Sequence, residues 1–291
     1  NRFSVSSSIF ALLAHAAART ERIALGTAAV LLPMHDPIRV AEDAATVDAL
    51  SNGRLLLGVG RGGPFPDQFK HFHVAPDDSR AQMLEGLALV QRLLAEVHVS
   101  FSGRHYQCED VSVYPRPAQA RLPVWLASVS PEGVDEAARQ GYGLMAPSPA
   151  PTPKLVELVQ AYRAAAAQAG RAAGAFTVSR FFFCAPDRRT AIDAAVPFVR
   201  DFARNMGAAI ALAQQRGGAL PFGQNPQAFD EARILATSII GDPDDCLERV
   251  QALRAALGDF TLMLKPAAYD MAANRAALGL FAERVRPRLG D

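Results

Sequence analysis

Residues 19–63 read RTERIALGTAAVLLPMHDPIRVAEDAATVDALSNGRLLLGVGRGG, and this stretch decides the fold class. Ile23–Leu32 is an apolar run suited to a buried strand. Asp36-Pro37 opens a helix, because an aspartate at N-cap accepts free N–H groups and proline at N1 has its φ already set. Ala41, Ala44, Val47 and Leu50 recur at helical spacing, and Ser51-Asn52-Gly53 ends the helix. Arg54–Val59 is a second apolar run. It leads into Gly58-Val59-Gly60-Arg61-Gly62-Gly63, a glycine-rich loop with one arginine. Strand, helix and strand make a βαβ unit. Its closing glycines, Gly60 and Gly62 among them, let a ligand approach the backbone, and Arg61 offers a planar cationic fork to a phosphate. Spacing alone also allows a tight turn with a solvated arginine. The loop is neither GxGxxG nor followed by a Walker lysine.

The same rhythm continues. Apolar runs at Pro123–Ala127, Leu144–Ala146, Phe176–Cys184 and Phe260–Leu264 alternate with amphipathic helical stretches, the pattern of a parallel sheet covered by helices. Asp242-Pro243-Asp244-Asp245 opens one such helix, with Leu247, Val250, Leu253 and Leu257 on one face and Gly258 beyond its end. Two segments interrupt. Residues 98–122 are polar, rich in proline, and read as an insertion holding a hairpin. Residues 207–232, with Gly217-Gly218 and Pro221–Pro226, read as a mobile loop. Each is a candidate binding excursion or a plain solvated one. The whole, residues 1–291, reads as a single α/β domain. Periodicity does not separate a barrel from an open sheet.

Composition excludes several classes. A net charge of +1 gives no general attraction to nucleic acid or anionic membrane. The apolar runs are too short to span a bilayer. Cys108, Cys184 and Cys246 are an odd, scattered set without CxxC, which argues against a disulfide framework or zinc site and fits a cytoplasmic setting. No metal is expected. His71 and His73 flank Phe72 without a third ligand nearby. His35 beside Asp36 reads as turn and N-cap. Phe3, Phe65 and Phe69 are candidates for the mouth of a site or for plain core.

A second anion site is suggested by Leu126-Ala127-Ser128-Val129-Ser130-Pro131-Glu132-Gly133, where a strand ends and a helix begins with Ser130 at N-cap. Helix N-termini present free N–H groups to anions, and a simple serine cap reads the same way.

These stretches together, with the pattern D-x-L-S-x-G-R over Asp48–Arg54, resemble the bacterial-luciferase-like flavin monooxygenases from Phe3 to the C-terminus. The resemblance implies a (β/α)8 TIM barrel with insertions. The six apolar runs then correspond to strands three to eight, the first strand–helix–strand is lacking, and further N-terminal sequence is expected. It implies FMN as cofactor, used as FMNH2 from a separate flavin reductase. The reaction transfers an oxygen atom from O2 through a flavin C4a-peroxide to a small organic substrate. Arg61 and Ser130 match the family's phosphate contacts. Ala28-Ala29 matches a non-proline cis peptide that backs the flavin ring. Gly133 stands where the family carries a threonine, leaving only a backbone contact. The family's catalytic histidine would fall just upstream of Asn1, so no catalytic residue is named. The alternatives are an F420-dependent oxidoreductase of the same fold, against which the arginine of GVGRGG speaks, and a non-catalytic flavin-binding subunit. Small residues Ala11, Ala14 and Ala18 on the first helix fit a homodimer.

Overall fold

The computed structural model describes residues 8–63, 66–147, 150–215 and 230–290, and the chain divides into two compact units, residues 1–127 and 128–291. Phe3, Phe65 and residues 216–229 of the second insertion lie outside the described residues.

The first unit holds α1 (Ile9–Arg19), β1 (Leu25–Gly26), β2 (Val30–Leu31), α2 (Pro37–Leu50), β3 (Leu55–Gly60), α3 (Pro66–His71), α4 (Ser79–Ala95), β4 (Val99–Ser102), β5 (Gln107–Val111) and β6 (Val124–Ala127). Strand β3 is its centre. It runs parallel to β1, β2 and β6, and its Leu55, Leu57 and Val59 are fully buried. Strand β3 has helices packed about it and little polar side-chain content, as a covered parallel sheet demands.

The βαβ unit is present with the helix where the capping signals put it. Asp36 accepts the N–H groups of Ile38 at 2.9 Å and Arg39 at 3.2 Å. Asn52 and Gly53 take positive φ and turn the chain out of α2. Arg54 binds this corner together. Its guanidinium donates to Ser51 O, Ile23 O, Ala17 O, Thr20 O and the Thr20 hydroxyl at 2.6–3.2 Å. The carbonyls at the end of α1, which have no partner within the helix, are thereby satisfied.

One expectation needs correction here. Ile23–Leu32 is not a continuous strand but two short ones, β1 and β2, broken at Thr27–Ala29. The Ala28–Ala29 peptide in the break is cis. The buried Thr27 hydroxyl donates to Gly58 O at 2.7 Å and accepts from Gly58 N at 2.8 Å, so a side chain replaces the ladder bonds that the backbone gives up.

The first insertion does contain a hairpin, β4 against β5, antiparallel. Glu85 of α4 fastens it, accepting the N–H groups of Arg104 at 3.1 Å, His105 at 2.7 Å and Tyr106 at 2.9 Å.

The second unit holds α5 (Pro131–Gln140), β7 (Gly143–Ala146), α6 (Thr152–Gln168), β8 (Phe176–Cys184), α7 (Arg188–Gln215), α8 (Glu231–Ala236), β9 (Ile239–Gly241), α9 (Pro243–Leu257), β10 (Thr261–Pro266) and α10 (Met271–Arg284). Strand β8 is its centre, parallel to β7, β9 and β10. Asp242 and Asp245 form a reciprocal capping box at the start of α9. Two corrections follow. Residues 207–215, read as loop, continue α7, and Glu231–Ala236 is helix α8. The alanine-rich stretch around residues 208–213 is a good helix former, and the glycines that suggested a loop come only later. Strand β9 escaped the sequence reading because three residues are too few to show a period. Both units are therefore α/β with parallel strands.

Candidate cofactor site

In the first unit the candidate residues gather at the carboxyl end of β3. A Cβ built on Gly60 would stand 3.7 Å from the Ala29 Cβ and 3.5 Å from the Ala127 Cβ. Three small residues from β3, the cis-peptide break and β6 thus lie side by side. Ala28 and Ala127 are exposed, which leaves a shallow surface that a flat group can approach.

Arg61 follows directly. Its guanidinium is half-buried and, among the described residues, forms no hydrogen bond or ion pair. Burial lowers its pKa, and the neighbouring charge of Arg80 lowers it further. Two cations near each other with one unneutralised are a setting that an anion stabilises. Gly62 beside it has φ 110, and a Cβ there would meet Met34 Cε and Phe69 Cζ at 3.1 Å. The loop can close over Met34 and Phe69 only with glycine at this position. Phe69 is accordingly core, packed with Met34, Val74 and Leu31.

In the second unit, Ser130 caps α5 as its sequence context predicts, accepting the Gly133 N–H at 3.3 Å with Pro131 at N1. The surprise is Ser128. A Cβ on Gly133 would fall 2.0 Å from the Ser128 hydroxyl and 3.3 Å from the Ser130 hydroxyl. The Ser128 hydroxyl therefore fills the place that a side chain at position 133 would take. Position 133 thus shares its space with a hydroxyl from five positions earlier. Ser128 also stands 3.4 Å from the Ser130 hydroxyl. Two hydroxyls at a helix start form a donor set suited to a phosphate.

Sequence reasoning missed both Ser128 and Thr27. A serine two residues before an N-cap and a threonine inside an apolar run carry no distinct pattern. Only the fold shows what they touch.

The remaining candidates take structural roles. Burial holds the His35 ring below the usual histidine range, with the Asp43 charge opposing. His73 adopts positive φ at the end of the turn after α3, and among the described residues no cluster of His, Cys, Asp or Glu is arranged to hold a metal. Cys108, Cys184 and Cys246 are free thiols. Cys184 and Cys246 are buried, and the Cys246 thiol donates to Gly241 O at 3.8 Å. Among the described residues no helix is long and apolar enough to cross a membrane.

Comparison with known proteins identifies the family. Residues 1–259 match the family model of luciferase-like monooxygenases. Limonene 1,2-monooxygenase of Rhodococcus erythropolis is 36% identical over 148 residues, which are 50% of this chain and 38% of that protein. The chain thus matches only about two fifths of this relative's length. 4-Hydroxyprotoasukamycin monooxygenase of Streptomyces nodosus subsp. asukaensis is 30% identical over 291 residues, covering 95% of this chain and 76% of the relative. An F420-dependent glucose-6-phosphate dehydrogenase of Beutenbergia cavernae is 29% identical, covering 95% and 81%. Among solved structures, monooxygenase RslO1 from Streptomyces bottropensis superposes with a TM-score of 0.85 at 29% identity, covering 97% of this chain and 83% of that one. The oxygenating constituent of 3,6-diketocamphane monooxygenase from Pseudomonas putida has the same fold, with a TM-score of 0.77 at 19% identity over 97% and 84% of the two chains. The chain belongs to the luciferase-like monooxygenase family.

Proposed function

We propose that this protein is a flavin-dependent monooxygenase that uses FMNH2 and O2 to oxygenate a small organic substrate. The observation that carries the choice of cofactor is Arg61, a half-buried guanidinium without a partner among the described residues, on the loop that closes β3. In this reading Arg61 supplies a charged contact to the FMN phosphate. As a separate candidate, the α5 N-terminus, with the hydroxyls of Ser130 and Ser128 and the glycine backbone at Gly133, offers neutral contacts to a phosphate. Ala28, Ala29 and Gly60 back the ring, and Gly62 lets the loop turn inward. Reduced flavin when bound supplies the electrons that activate O2. The chain's own residues bind and orient it and keep water from its reactive edge. The oxygenating constituent of 3,6-diketocamphane monooxygenase was solved in complex with FMN.

The reading extends to a (β/α)8 barrel forming one domain over residues 1–291, a separate flavin reductase as electron donor, a homodimer and a cytoplasmic location. The small residues Ala11, Ala14 and Ala18 of α1, of which Ala11 and Ala18 are exposed, support the dimer. The second reading is an F420-dependent oxidoreductase, favoured by the F420-dependent dehydrogenases among the relatives. Anaerobic titration of the protein with reduced FMN and, in parallel, with reduced F420 separates the two. Preferential binding of reduced FMN, followed by O2 consumption that an organic substrate stimulates, is expected. Preferential F420 binding would replace the oxygenase reading by the second.

A further inference from the structure

At the carboxyl end of β8 and β10 the second unit carries a cation that nothing in the described protein neutralises. Lys265 Nζ stands 3.9 Å from the centre of the Phe202 ring and 4.6 Å from that of Phe181. Lys265 and Phe181 are register partners on adjacent parallel strands, so their side chains share a face. Phe181 and Phe202 meet edge to face at 5.1 Å. Phe198 adds a third ring 6.5 Å from Phe181, and Tyr269 a fourth 5.3 Å from Phe198. Lys265, Phe198 and Phe202 are only partly buried and Tyr269 is exposed, so the cluster opens to solvent.

Ring faces attract an ammonium but do not accept its N–H bonds as an oxygen does. Among the described residues Lys265 has neither a hydrogen bond nor an ion pair, and burial alone lowers its pKa to about 8. Several ionisable groups on the packed elements are engaged elsewhere. Asp201 accepts from the Tyr269 hydroxyl and pairs with Arg204, and Arg200 pairs with Glu231. Arg180 lies on the opposite face of β8, and Asp270 caps α10. Among the described residues nothing accepts from Lys265, which leaves its ammonium available to a ligand. The aromatic walls select an apolar, planar body. A single ammonium matches one negative charge. In parallel α/β sheets the carboxyl ends of strands are where ligands bind.

We propose that Lys265, between Phe181 and Phe202, is a specificity-determining residue that receives the single negative charge of an aromatic organic acid. The inference names the substrate class of the oxygenase reading above and rests on it.

The test is calorimetric titration with benzoate and with benzyl alcohol, which keeps the ring and lacks the charge. Benzoate is expected to bind more tightly than the alcohol and, because it needs the protonated amine, about tenfold more weakly at pH 9 than at pH 7. Lys265→Met is expected to reduce benzoate to the level of the alcohol. Lys265→Arg is expected to keep benzoate binding and abolish its fall with pH. Equal binding of the two probes, a flat pH profile in the wild type, or benzoate affinity unchanged in Lys265→Met would each overturn the site. A parallel titration of the wild type with reduced FMN separates the two readings. Flavin bound with benzoate unbound overturns the Lys265 site alone. Benzoate bound as described with flavin unbound upholds the Lys265 site while overturning the oxygenase.

Discussion

Asp48 on α2 accepts the backbone N–H of Gln119 at 2.9 Å and the side-chain amide of Gln119 at 2.7 Å, across 71 residues of sequence. The same carboxylate takes the Leu55 N–H at 3.3 Å, and the Gln119 amide donates onward to Leu55 O at 2.8 Å. One buried acid therefore joins the helix of the βαβ unit, the first residue of its central strand and the segment that leads into β6. That network holds β3 and β6 side by side, with Gly60 and Ala127 at their carboxyl ends.

Asp48 is fully buried, so its removal strands three donors. Asp48→Ala is expected to destabilise the protein by about 3 kcal/mol, the scale for breaking a buried charged hydrogen-bond network. Asp48→Asn should cost less, since the amide keeps one acceptor. Urea denaturation of the two variants against wild type measures both. Equal stability of all three would mean that the network is dispensable.

Arg61→Ala is expected to weaken binding of reduced FMN at least about tenfold, the scale of a lost charge-assisted phosphate contact of about 1.4 kcal/mol. Its melting temperature should stay close to wild type, because among the described residues Arg61 has no partner to abandon. Raising salt should weaken FMN binding in the wild type more than in the variant. Unchanged affinity in an anaerobic flavin titration would remove Arg61 from the site.

Gly133→Thr is expected to destabilise by about 1–3 kcal/mol through overpacking against Ser128. The double variant Gly133→Thr with Ser128→Gly should recover much of that loss, since the added hydroxyl then has the vacated space. Thermal melts of the single and double variants decide the point. Additive losses in the double variant would show that the two positions do not share that volume.

The Glu85 carboxyl is raised by burial, but the N–H groups of His105, Tyr106 and Arg104 outweigh this and hold it below its usual range. A carboxylate with a depressed folded pKa stabilises above its unfolded pKa and loses that contribution as pH falls through the folded value. Glu85→Gln should therefore cost about 1 kcal/mol at pH 7, a figure kept small by solvent screening, and progressively less toward pH 3. Melting curves from pH 7 to pH 3 should converge for wild type and variant. A constant gap at every pH would mean that the carboxylate's charge contributes nothing.

Much of the architecture was legible because its signals are local. Asp36-Pro37, Ser130-Pro131 and Asp242-Pro243 cap helices with atoms two or three residues away, and all three do so in the structure. The apolar runs became strands because a sheet covered on both faces needs continuous apolar sequence. The candidate residues were legible in part. Arg61 stands out as the one charge in a glycine loop, and Gly62 as a position where no side chain fits.

What the sequence by itself determined is therefore the alternation of strands and helices, their caps and the family to which they belong. What only the tertiary structure decided is which groups meet across long separations. Thr27 repairs the broken strand through Gly58, and Asp48 reaches Gln119. Lys265 is left among aromatic rings, and distant packing alone sets its burial and hence its lowered pKa. The physical reason is range: caps and periods act within one turn of chain, whereas desolvation and long-range hydrogen bonds depend on neighbours that no short window of sequence contains.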